Sequence, residues 1–176
     1  GWNKLPHLPM MEDMGEIAEL LERFRRGAEL VAVALTGAAG SEFDFVPAPG
    51  KWSVRQIAAH LADSEIVGAD RFRRVIAEEN PTLQGYDQDA WARNLDYARR
   101  KPSQSQETFR RIRAENYELL KELPEAAFAR TGVHSERGPV TLLDLLRTYT
   151  THAESHARQL QEVRAAFKQT KAGGRS

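Results

Sequence analysis

Eight prolines, at positions 6, 9, 47, 49, 81, 102, 124 and 139, constrain this chain more than any other feature. A proline inside a helix removes a backbone hydrogen bond and clashes with the preceding turn, so long helices must lie between the prolines. Three intervals are long: Pro9 to Pro47, Pro49 to Pro81, and the chain after Pro139. Two shorter ones run from Pro81 to Pro102 and from Pro102 to Pro124.

Apolar residues in these intervals recur at helical spacing. The first carries Ile17, Leu20, Leu21, Phe24, Leu30, Val31, Ala34 and Leu35, in three- and four-residue steps. The second opens on Ser53 with Gln56 three residues later, a capping box, and continues through Ile57, Leu61, Gly68, Phe72, Val75 and Ile76. The third helix follows Pro102, with Phe109, Ile112, Tyr117, Leu119, Leu120 and Leu123. The fourth begins at Thr141 with Asp144 three positions on, and carries Leu142, Leu145, Leu146, Tyr149, Ala153, Leu160, Val163 and Phe167. No alternating Val/Ile/Thr run bounded by turns predicts a strand. The expectation is an all-α four-helix bundle with a short extra helix, near Tyr86–Ala92, in the long link between helices two and three. That link lets the second and third helices run in the same sense. The chain of 176 residues reads as a leader over 1–10, a single domain over 11–170 and a frayed tail over 171–176.

Composition narrows the chemistry. There is no cysteine, which excludes disulfides, thiolate metal sites and a cysteine nucleophile. Lys plus Arg and Asp plus Glu are 25 each, so no net charge points to a nucleic-acid or membrane partner. The clusters Arg71-Phe72-Arg73-Arg74, Arg99-Arg100-Lys101 and Arg110-Arg111 are interspersed with acids and read as solvated faces. No apolar run nears the roughly 18 residues of a membrane span, and the expected location is cytoplasmic.

Five histidines remain: His7, His60, His134, His152 and His156. His152 and His156 are four apart inside an apolar stripe, which puts both imidazoles on one inward face. His60 lies beside Ile57 and Leu61, inward on the second helix. Burying three imidazoles without partners costs on the order of 1–3 kcal/mol each. One divalent cation satisfies all three, and neutral imidazole suits Zn, Ni, Cu or Fe(II). Three protein ligands also leave a position open for water or substrate. Gln159, i+3 from His156 and i+7 from His152, can reach a ring nitrogen turned away from the metal. Tyr149 stands one turn before His152, and Ser64 one turn after His60. Asp63 and Glu65 flank that turn, each either a base or merely solvated. His134 reads as a turn or rim residue.

The segment Lys51–Glu65 (KWSVRQIAAHLADSE) resembles the second-helix motif of the DinB/YfiT-like superfamily. Tyr86–Trp91 (YDQDAW) is similar to its inter-helix segment, His134–Gly138 (HSERG) to the turn before its last helix, and His152–Gln159 (HAESHARQ) to its closing motif. The resemblance spans roughly residues 15–167. It implies an up-down-down-up bundle, a metal site of His60, His152 and His156, and a homodimer. Members are described as candidate metal-dependent hydrolases or use a low-molecular-weight thiol in transfer or isomerisation. Two departures are Ser155, where the family often has a histidine, and Ser135, where its turn often has proline.

Together these readings predict one divalent ion per chain, zinc or nickel first, activating water or an exogenous thiol against a small electrophilic substrate. Trp91, Tyr86 and Tyr149 would wall the pocket. No catalytic base is identifiable from sequence. The alternative is a non-catalytic, stress-related metal or ligand carrier.

Overall fold

The computed structural model describes residues 11–174; the leader over 1–10, with His7, and the last two residues of the tail lie outside the described residues. Among the described residues five α-helices form: α1 (Met11–Leu35), α2 (Val54–Ala77), α3 (Gln88–Asn94), α4 (Pro102–Lys121) and α5 (Leu142–Gly173). The four long ones are the bundle, and α3 is the short helix in the link. Local chemistry sets their starts. Ser53 and Gln56 close a reciprocal capping box at α2, and Thr141 and Asp144 do the same at α5. Pro102 occupies the first turn of α4, where its missing N–H costs nothing.

Cross-helix pairs fix the directions. Glu16 meets Arg147, Arg23 meets Glu154, and Arg164 donates to the Ala34 carbonyl, so α1 and α5 are parallel. His60 faces His152 and His156 while Gly68 faces Tyr149, so α2 and α5 are antiparallel. Glu65 meets Arg113 and Arg73 meets Asn116, so α2 and α4 run together. The order is up-down-down-up, and the long link makes the parallel step possible.

Two apolar clusters fill the bundle. One holds Phe24, Phe72, Val75, Leu120, Leu142 and Leu146; the other holds Val31, Val54, Ile57, Phe109, Leu160 and Val163. The stripe of α1 follows Ile17, Leu20, Phe24, Val31 and Ala34, with Gly27 admitting Arg113 between them. Leu30, expected inward, falls off that stripe and is 40% exposed.

Three short strands depart from the sequence reading: β1 (Thr82–Leu83), β2 (Thr131–His134) and β3 (Gly138–Thr141). β1 and β2 pair in parallel, and β2 and β3 form a hairpin. No strand exceeds four residues, and Gly132 and Pro139 interrupt the pattern, so no alternating run was visible. Pro139 is tolerated because β3 is an edge strand. The hairpin closes through Gly138 at φ +79°, a conformation that favours glycine. At the other end, α5 continues to Gly173, past Thr170 where the sequence reading stops it. Among the described residues no helix is long and apolar enough to cross a membrane.

Candidate metal centre

The α2 and α5 stripes bring His60, His152 and His156 together. His60 Nε2 lies 3.0 Å from His152 Nε2, which lies 3.1 Å from His156 Nε2. Each of the three offers a ring nitrogen to one point, all within 4.8 Å of one another. One proton satisfies only one of these facing pairs; a cation among them satisfies all three. Nitrogens bound at about 2.0–2.1 Å around a tetrahedral ion lie on the order of 3.3 Å apart, close to the spacing found.

Burial keeps the lone pairs available. It pushes His60 down to about 4, helped by His156, and His152 down to about 3, helped by His156 and His60. His156 is also lowered by burial, against the opposing pull of Gln159. All three rings are therefore neutral near pH 7, as metal ligation requires.

The far sides of the rings are held unequally. His156 Nδ1 lies 2.7 Å from Gln159 Oε1, so a proton on Nδ1 leaves the Nε2 lone pair facing inward. Gln159 thus serves His156, not His152. His60 Nδ1 is buried without a hydrogen-bond partner, and the Trp52 ring packs beside it at 5.1 Å between centroids. Trp52 did not stand out in the sequence, although an apolar residue just before an N-cap is a known signal for packing back onto the helix.

Below the triad lies Tyr149, its ring 6.4 Å from that of His152 and pressed against α2 where Gly68 has no side chain. Ser64 is buried one turn from His60. Burial raises the Tyr86 phenol, against the opposing influence of Ser64 and Arg71. Trp91 packs against Tyr86 at 4.3 Å between centroids, and the two line an outer cavity of about 530 Å³ with Ile66 and Asp70, apart from the three histidines. Ser155 is exposed, facing away from the triad. His134 is a turn residue: its Nδ1 accepts the backbone N–H groups of Glu136 and Arg137.

Neither flanking carboxylate is simply solvated. Glu65 is in the core, bonded by Arg113. Asp63 is bonded by Arg100 at 3.0 and 3.3 Å. Two arginines from clusters read as solvated faces, Arg71 and Arg100, are instead half-buried against Tyr149 and Asp63, while Arg113, outside those clusters, lies in the core.

Comparisons with known proteins agree with this architecture. Residues 23–160 match the model of the DinB superfamily, and the chain belongs to that family. YfiT from Bacillus subtilis, named as a candidate metal-dependent hydrolase, is 31% identical over 124 residues, 70% of each chain. A relative of the same description from Bacillus licheniformis is 25% identical over 157 residues, 89% of each chain. The solved structure of YfiT, described as having an unusual four-helix bundle topology, superposes with a TM-score of 0.82 at 25% identity, covering 96% of this chain and 95% of that one. A mycothiol-dependent maleylpyruvate isomerase shares the fold with a TM-score of 0.65 at 20% identity, covering 82% of this chain and 60% of that one.

Proposed function

We propose that this chain is a metal-dependent enzyme. His60, His152 and His156 hold one divalent ion, zinc or nickel, and water or a low-molecular-weight thiol attacks a small electrophilic substrate. The observation that carries the reading is the convergence of three neutral Nε2 atoms on one point. A divalent ion there supplies a Lewis acid that makes water or a thiol nucleophilic at neutral pH. The names of the Bacillus relatives support the hydrolytic branch. The thiol branch requires an added thiol, because the chain has no cysteine.

The chain's own side chains do the remaining work. Gln159 fixes the tautomer of His156, and burial keeps all three rings unprotonated. Tyr149 floors the site, and Ser64 is buried one turn from His60. Glu65 is committed to Arg113 and Asp63 to Arg100, so neither carboxylate beside the His60 turn stands free as a base. A homodimer belongs to the same proposal, with sedimentation as its test.

The test is elemental analysis and metal titration of the purified chain. A screen against activated esters, amides and alkyl electrophiles follows, with and without small thiols. One ion per chain and metal-dependent turnover are expected. Tight metal binding with no turnover on any electrophile points instead to a carrier.

A further inference from the structure

Seven arginines among the described residues are buried or half-buried: 23, 55, 71, 100, 113, 130 and 164. Six have a carboxylate within 4 Å: Glu154, Asp44, Asp63, Glu65, Glu79 and Glu42, in the order Arg23, Arg55, Arg100, Arg113, Arg130 and Arg164. Arg71 is the seventh and has none among the described residues. A guanidinium withdrawn from water without a counter-charge costs free energy. Both acceptors it has found are neutral. Nη1 donates to the Tyr149 hydroxyl at 3.1 Å, and Nη2 donates to the Gln84 carbonyl at 2.8 Å. Glu136, the acid on the adjoining turn, lies against Gly85 and forms no ion pair with Arg71.

The geometry leaves donors over. A guanidinium has five N–H groups in a rigid fork. Two are used, and the one on Nε is buried without a partner. One hydrogen remains on each terminal nitrogen, and charge-assisted bonds from such donors are what a carboxylate accepts. Arg71 is also aimed at the site. Side chains on a helix tilt toward its N-terminus, which for α2 is the His60 end. Its partner Tyr149 is the floor beneath the triad, one turn before His152. The Tyr149 ring thus stands between the guanidinium, which bonds its hydroxyl, and His152, 6.4 Å from it between centroids.

We propose that Arg71 is the anchor for a carboxylate on the substrate, which sets the electrophilic carbon toward the triad while the acid end lies against Arg71. The substrate class is a small electrophilic carboxylic acid. This rests on the metal-centre reading for the position of the electrophile. The anchor itself rests on the unpaired guanidinium.

The test uses the full chain loaded with Co(II) and titrated with mercaptoacetate, mercaptopropionate, mercaptobutyrate and mercaptohexanoate, each against the mercaptoalcohol of equal length. The Co(II) absorption spectrum is the readout. In the unaltered chain, the carboxylate of best-matching length is expected to bind about tenfold or more tightly than its alcohol, the scale of a hydrogen bond to a charged group. In Arg71→Gln that preference falls to within about twofold, while the alcohols bind as before. Arg71→Lys retains part of it, and Arg74→Gln, which removes an exposed charge, retains all of it. Circular dichroism confirms that each variant is folded. A preference that survives Arg71→Gln, no preference in the unaltered chain, or equal loss for acids and alcohols overturns the anchor; the last outcome makes Arg71 only a brace for Tyr149. If the chain takes up no Co(II), the metal-centre reading fails by itself. The anchor is then decided on the metal-free chain by the Arg71 Nε–H NMR signal, expected to shift with butyrate and not with butanol. No shift overturns it.

Discussion

Arg113 and Glu65 meet at the centre of the bundle through two hydrogen bonds of 2.7 and 2.8 Å, each side chain 1% exposed. The same guanidinium donates to the carbonyls of Phe24 and Tyr149 and lies 3.9 Å from the centroid of the Phe24 ring. One side chain of α4 thus ties α1, α2 and α5 together, between the two apolar clusters. Removing one partner leaves a buried charge unpaired. Glu65→Ala and Arg113→Ala are each expected to destabilise the chain by about 3–5 kcal/mol. Glu65→Leu combined with Arg113→Met should cost much less than the sum, because neither charge remains. Urea denaturation of the two singles and the double decides this.

Gly68→Ala tests how closely Tyr149 packs on α2. Alanine in place of glycine inside a helix ordinarily stabilises by roughly 0.5–1 kcal/mol. Here the added carbon would stand 2.7 Å from Tyr149 Cε1 and 2.9 Å from Cζ. Overpacking a buried ring costs about 1–3 kcal/mol, so the net effect is expected to be destabilising. A rise in the thermal midpoint would mean that the ring can move aside.

Stability of the metal-free chain should fall with acid in a defined window. His60 is held at about 4 and His152 at about 3 in the folded chain, against 6.5 when unperturbed. As pH drops below about 6.5, the unfolded chain takes up these protons and the folded chain does not. The histidine contribution is therefore complete above about 6.5, is lost progressively toward the folded values, and levels off below them. Urea midpoints across this range should decline, and His152→Leu should make the decline shallower.

Gln159→Leu removes the acceptor that orients His156. A loss of about 10- to 100-fold in metal affinity is expected, with the fold unchanged by circular dichroism. Ser155→Ala, one residue before His156 but facing solvent, should leave affinity as it was. Equal effects from the two would mean that the Gln159 contact does not orient the ring.

The bundle was legible because proline placement and the apolar stripes are local signals, and so was the triad, because i, i+4 spacing and an inward His60 are read directly from helical geometry. The strands of the hairpin were not, since they are too short to alternate and are held by pairing with Thr82–Leu83, some fifty residues away in sequence. Arg71, Arg100 and Arg113 also escaped. Burial of an arginine is decided by which carboxylate or carbonyl another helix brings to it, and Glu65 lies 48 residues from Arg113. Leu30 erred in the opposite way: its spacing fits the α1 stripe only if Gly27 is ignored, and Gly27 is where Arg113 enters.

The central claim is that His60, His152 and His156 form one metal site, and titration of zinc into single-alanine variants tests it most directly. His60→Ala, His152→Ala and His156→Ala are each expected to weaken binding by orders of magnitude while circular dichroism still reports a helical bundle, because the apolar clusters do not depend on the metal. His134→Ala, whose ring caps a turn, should bind as the unaltered chain does. Equal losses for His134→Ala and His60→Ala, or undiminished binding in His152→Ala, would contradict the account.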